Sequence, residues 1–151
     1  MIEVGQLAPD FTLPSDAHGE VTLSALRGRP VVLYFYPKDA TPACTQEACD
    51  FNTDLAPLPG ATVVGISTDT VRKHANFRKK YELTFPLLAD VDQAVHALYG
   101  TWGEKSMYGR TYMGTYRTTF LIDASGVVRR IWPSVRVAGH VADVAAALAA
   151  L

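Results

Sequence analysis

Val31-Val32-Leu33-Tyr34-Phe35-Tyr36 is an unbroken run of apolar, β-favouring residues that Pro37 stops. A strand of this kind cannot leave one face to solvent, as an alternating strand can, so it reads as a central strand covered on both sides. Segments of helical and extended character alternate around it. A helix is expected from Pro42 to about Leu58, a strand from Ala61 to Ser67, and a helix from Val71 to Tyr81. After these come a short extended piece over Phe85–Asp90 and a short helix over Gln93–Tyr99. This alternation indicates an α/β domain with helices packed on a central sheet.

The two ends of the chain add to that core. Phe11-Thr12-Leu13 and Val21-Thr22-Leu23 alternate around the turn Asp16-Ala17-His18-Gly19 and predict an N-terminal hairpin. Residues 118–123 and 127–132, joined by Ala124-Ser125-Gly126, predict an antiparallel hairpin, and Val141, Val144, Leu148 and Leu151 recur at helical spacing. Thr101–Gly114, rich in glycine, aromatic and polar residues, reads as a long functional loop that Trp102, Tyr108 and Tyr112 either line or pack over a core edge. A length of 151 residues suits one domain over 1–151, and 48% hydrophobic against 19% charged residues suits a folded soluble chain.

The charge balance narrows the possible partners. A formal net charge of −1 gives no field that would draw the chain to nucleic acid or an anionic membrane. The basic clusters Arg72-Lys73 and Arg78-Lys79-Lys80 read as the solvated face of a helix. Without a secretory pattern at the start or a run long enough to span a bilayer, the cytoplasm is the expected location. His18, His74, His96 and His140 are scattered, without metal-ligand spacing, and read as surface or structural residues.

Two cysteines in a reducing compartment point to redox chemistry rather than a permanent staple, although each could instead be a small buried hydrophobe. With Thr41 as N-cap and Pro42 at the first helical position, Cys44 lies at about the third residue of its helix. There free backbone N–H groups and the helix dipole favour a thiolate. Cys44 shares a core-facing stripe with Ala48, Phe51, Leu55 and Leu58, whereas Cys49 lies about 140° round the helix. Ideal helix geometry separates their Cα atoms by about 8.6 Å, beyond the disulfide limit of about 7 Å, so a bond between them requires local unfolding.

Tyr36-Pro37-Lys38-Asp39-Ala40-Thr41-Pro42-Ala43-Cys44 resembles the peroxidatic motif of peroxiredoxins: a proline, three residues, a threonine, two residues and a cysteine. Cys49, five residues on, resembles the resolving cysteine of the bacterioferritin-comigratory-protein (PrxQ) branch. Gly5-Gln6-Leu7-Ala8-Pro9-Asp10-Phe11, Tyr108-Gly109-Arg110 and Arg117-Thr118-Thr119-Phe120-Leu121-Ile122-Asp123 are similar to the same branch. The resemblance implies a thioredoxin-like fold, a central mixed β-sheet flanked by helices, with an N-terminal β-hairpin extension.

The same resemblance implies catalytic roles. Cys44 attacks a hydroperoxide, Thr41 hydrogen-bonds it, and Pro37 shields the sulfur. Arg117 supplies a permanent cation and hydrogen bonds, a double task that Lys would perform with poorer geometry, and Glu47 orients Arg117. From the residues alone, Arg117 is an arginine preceding a strand and Glu47 an exposed helix carboxylate. Cys49 then forms an intramolecular disulfide that thioredoxin reduces, in a monomer that needs no metal and no organic cofactor. Two rivals stand beside this reading. A disulfide oxidoreductase would place its cysteines two residues apart, and a thiol switch or chaperone-like protein would use the pair without appreciable peroxide turnover.

Overall fold

The computed structural model describes residues 2–57 and 60–151. Its central sheet has the order β5-β4-β3-β8-β9, formed by β3 (Val31–Phe35), β4 (Thr62–Ser67), β5 (Leu87–Ala89), β8 (Thr118–Ile122) and β9 (Val128–Trp132). β3 pairs in parallel with β4 and antiparallel with β8, so the sheet is mixed, and β3 is its middle strand. All five β3 residues are buried, as the apolar run demands.

Pleating divides those residues between two cores. Val31, Leu33 and Phe35 join Phe11, Leu13, Val21, Val95, Tyr99 and Phe120 on one face. Val32 and Tyr34 join Tyr36, Cys44, Phe51, Phe77, Leu121 and Val144 on the other. The second face is covered by α1 (Pro42–Asp54), α2 (Val71–Tyr81) and α4 (His140–Ala149). The first is covered by α3 (Ala94–Tyr99) and the N-terminal hairpin of β1 (Thr12–Pro14) and β2 (Glu20–Thr22). Tyr34 lies opposite Gly65 on β4, where an added Cβ would sit 2.9 Å from the ring, so the glycine makes room for the aromatic stack of Tyr34 on Phe51.

Four local expectations change. Thr101–Gly114 is not a loop: β6 (Trp102–Met107) and β7 (Arg110–Thr115) form a hairpin turned by Tyr108 and Gly109, both left-handed at φ 53 and 77. It projects from the body with few buried side chains, so no period-2 hydrophobic signal marks it. Tyr108 at its tip is fully exposed, while Trp102 packs edge-on against His96.

Arg78 does not belong to a solvated face. Its guanidinium pairs with Asp16 of the N-terminal turn and donates to the Leu83 and Phe85 carbonyls, fastening the extension to α2. At the C-terminus Val141 and Val144 are buried, but Leu151 follows the end of α4 and is exposed. The helix that opens at Pro42 ends at Asp54, and Leu58 of its expected stripe lies outside the described residues. No helix among the described residues is long and apolar enough to cross a membrane.

Candidate active site

Sheet register assembles the site. Phe35, the last residue of β3, pairs with Thr118, the first of β8, so the residue before Thr118 falls beside the segment that leaves β3 for α1. That residue is Arg117. Cys44 is the third residue of α1 and is buried, with Ala48, Phe51 and Leu55 continuing its stripe into the core. The first amide of the turn to find a carbonyl below it is that of Thr45, which donates to Thr41, and the amides before it have no backbone acceptor among the described residues.

Arg117 divides its guanidinium between two partners. One terminal nitrogen donates to Cys44 Sγ at 3.3 Å and the other to Glu47 Oε1 at 2.6 Å. Glu47 is wholly buried, contrary to the exposed carboxylate that its sequence position suggests, because it lies one turn after Cys44 on the same inward face. Burial pushes its carboxyl up to about 7 against the pull of Arg117, and Oε2 has no hydrogen-bond partner among the described residues. Burial works against the Arg117 charge, but Glu47 and Cys44 outweigh it and raise its pKa, so the cation is secure.

The Glu47 environment has a measurable consequence. In the unfolded chain its carboxyl titrates near 4.5, so between that value and about 7 the native state binds the extra proton. Stability from this group is therefore full below pH 4.5 and is lost as pH rises to about 7. Relative to Glu47→Gln, wild-type unfolding free energy should fall by about 3 kcal/mol across that window. Urea titrations of both proteins at a series of pH values check this; parallel curves would contradict it.

Thr41 occupies the N-cap position without capping, since its hydroxyl donates to the Lys38 carbonyl at 2.8 Å. With its hydrogen committed, the Thr41 oxygen is left as an acceptor. Ala40, just before it, is left-handed at φ 65, a costly conformation for a residue with a Cβ. Its neighbour Asp39 fastens this loop to the body by accepting from Tyr36 Oη at 2.6 Å and bonding His74 Nδ1 at 2.6 Å, while its amide donates to Asp69. Leu88 carbonyl accepts from His74 Nε2, so Asp39 and His74 share one further proton between them.

Asp39, Asp69 and His74 each bring a ligand atom within 4.8 Å of the others, a convergence their sequence positions do not reveal. Each is already satisfied by these bonds and by Ser67, so the cluster reads as a structural clasp. His96 and His140 are likewise buried and bonded to Thr115 and Thr119.

Pro37 and Arg117 line a cleft of about 320 Å³ together with Lys105, Tyr116, Ser134 and Val135. Neither Tyr108 nor Tyr112 belongs to it; Tyr116 does. Lys105 comes from the β6–β7 hairpin, where the sequence predicts a loop, so nothing local marks its place. Cys49, half-buried and farther along α1, is a free thiol, as is Cys44. Burial and the neighbouring Asp50 raise the Cys49 pKa.

The AhpC/TSA family model matches residues 4–131. The chain belongs to the AhpC/TSA family. Within that family it falls among the peroxiredoxins named Bcp. Peroxiredoxin Bcp of Bacillus subtilis is 46% identical over 146 residues, spanning 94% of this chain and 92% of the relative. Peroxiredoxin Bcp of Escherichia coli K12 is 41% identical, spanning 92% and 90%. Among solved structures of the family, a cysteine-to-serine variant of Xylella fastidiosa PrxQ superposes with a TM-score of 0.93 at 34% identity, covering 99% of this chain and 97% of that one. The Xanthomonas campestris bacterioferritin comigratory protein, solved in work on its alkyl peroxide reduction, gives 0.86 at 42% identity, covering 93% and 90%. The thioredoxin-like α/β architecture expected for this AhpC/TSA member is therefore its fold.

Proposed function

We propose that this chain is a thiol peroxidase in which Cys44 reduces hydroperoxides and Cys49 resolves the product. The observation that carries the reading is the Arg117 bridge, one nitrogen on the Cys44 sulfur and the other on a buried carboxylate. A guanidinium fixed in this way stands beside the reacting sulfur and presents donors to an oxygen on which charge develops. The Cys44 thiolate attacks the terminal peroxide oxygen. An S–O bond forms, the O–O bond breaks, and two electrons pass from sulfur to the peroxide, giving a sulfenic acid and an alkoxide or hydroxide that takes up a proton. Thr41 accepts a hydrogen bond from the peroxide O–H, and Pro37 walls the sulfur from water.

Resolution asks for a different structure. Cys49 thiolate displaces hydroxide from the sulfenic sulfur, forming a disulfide, and a dithiol such as thioredoxin reduces it. The raised Cys49 pKa keeps it a thiol while α1 is folded, so opening the helix both frees its path and makes it nucleophilic. The protein works as a cytoplasmic monomer in this reading.

Cys49→Ser should leave the first oxidation within about twofold of wild type, since it is outside the site, yet accumulate sulfenic acid in place of disulfide. Rapid-mixing kinetics with sulfenic-acid trapping reads both quantities; normal thioredoxin-supported cycling in the variant would place resolution elsewhere. Amide exchange over residues 42–52 should quicken on oxidation of the wild type. Consumption of peroxide at low concentration in a coupled assay with thioredoxin, its reductase and NADPH separates a peroxidase from a thiol switch.

A further inference from the structure

We propose that Lys105 is the general acid that protonates the departing oxygen of the hydroperoxide. This goes beyond the assignment of Cys44, Thr41, Pro37, Glu47 and Arg117, and rests on the peroxidase reading itself. Cleavage of the O–O bond releases hydroxide or alkoxide, a poor leaving group that a positioned acid makes easier to expel.

The cleft offers few acids. Arg117 is held by Glu47 and Cys44 and cannot give up a proton at physiological pH. Glu47 lies fully buried behind it, and the Tyr116 hydroxyl is spent on the Glu104 carbonyl. His74, His96 and His140 are engaged in the buried bonds already described. Lys105 is the remaining titratable group on the cleft wall.

Its position is built by the hairpin. Gly114 leaves the space in which the Lys105 stem lies, since a Cβ there would come within 3.0 Å of Lys105 Cδ. The facing Gly103 does the same for the Tyr116 ring, whose hydroxyl would be 2.3 Å from an added Cβ. In this notch one Lys105 hydrogen goes to the Thr115 carbonyl at 3.0 Å, leaving two for a ligand. The ammonium is half-buried and has no carboxylate partner among the described residues. Burial and the adjacent Arg117 lower its pKa, with Cys44 pulling the other way, and both lowering influences make it a better donor.

In the step, the O–O electron pair leaves with the distal oxygen, which takes a proton from Lys105 Nζ as the Cys44 S–O bond forms. The neutral amine regains a proton from water through the open cleft. A peroxyacid needs no such help, because it leaves as a stable carboxylate.

The test compares hydrogen peroxide with peracetic acid in rapid-mixing measurements of Cys44 oxidation. Lys105→Met removes charge and proton, while Lys105→Arg keeps the charge without a transferable proton. Both variants should react about 10²-fold more slowly with hydrogen peroxide and stay within about threefold of wild type with peracetic acid. Retained peracetic acid reactivity also shows that the site is folded. An undiminished hydrogen peroxide rate in Lys105→Met, restoration by Lys105→Arg, or equal slowing with both oxidants would overturn the assignment. A wild type inert to both oxidants would instead defeat the peroxidase reading.

Discussion

Cys44→Ser should lose peroxide consumption down to the uncatalysed background. Serine differs from cysteine by one atom, but its hydroxyl is not ionised near neutrality and its oxygen cannot accept the peroxide oxygen as sulfur does. Everything else at the site would survive the change: Arg117 would still pair with Glu47, and the free amides at the start of α1 would still be in place. The loss would therefore isolate the nucleophile from its surroundings. The side chain is 1% exposed and packs among Ala48 and Phe51, so the more polar hydroxyl should cost about 1–2 kcal/mol of stability without unfolding the domain. An oxygen-free peroxide electrode trace with circular dichroism on the same sample measures both effects. Continued rapid consumption by a folded Cys44→Ser protein would transfer the chemistry to Cys49 or away from thiols altogether.

The sequence made the centre of the fold legible because its signals were local and strong. The Val31–Tyr36 run reads as a doubly covered strand, and α2 begins where Thr70 caps it through Lys73 N–H and stops at the left-handed Glu82. The β6–β7 hairpin escaped because its strands bury little on either face; Tyr108-Gly109 was the one turn signal available. With it went the place of Lys105 on the cleft wall. Arg78 departs from the expected solvated face for a related reason, since its partners Asp16, Leu83 and Phe85 lie outside α2.

The site divides along the same line. Pro37, Thr41 and Cys44 sit on one short segment; the place of Cys44 at a helix start is legible in the residues themselves, whereas the roles of Pro37 and Thr41 are what the family resemblance implies. Arg117 is 73 residues from the sulfur it touches, and nothing in its neighbourhood marks it without the family resemblance. The β3–β8 register supplies the physical reason for the meeting. Glu47 shows the opposite case, a residue placed correctly on α1 whose burial, and hence whose raised pKa, only the packed structure reveals.

Arg117→Met should slow Cys44 oxidation by about 10²–10³-fold, the usual range for removing one preorganised donor from a developing oxyanion. Two effects must be kept apart in that variant. The rate falls because the sulfur and the peroxide lose their cation, and stability falls because buried Glu47 loses the guanidinium it is bonded to. Breaking a buried pair by removing one member costs about 3–5 kcal/mol when the orphaned charge stays ionised. Glu47 already titrates near 7, so at lower pH it can take up a proton and escape most of that cost, and the destabilisation should grow as pH rises. Combining Arg117→Met with Glu47→Gln should therefore recover stability at alkaline pH while leaving the rate depressed. Arg117→Lys should fall between, because a single ammonium cannot hold both Glu47 Oε1 and Cys44 Sγ in the fork geometry seen here. If the double variant regained its rate along with its stability, Arg117 would be a structural tether for Glu47 and not a partner of the reacting sulfur.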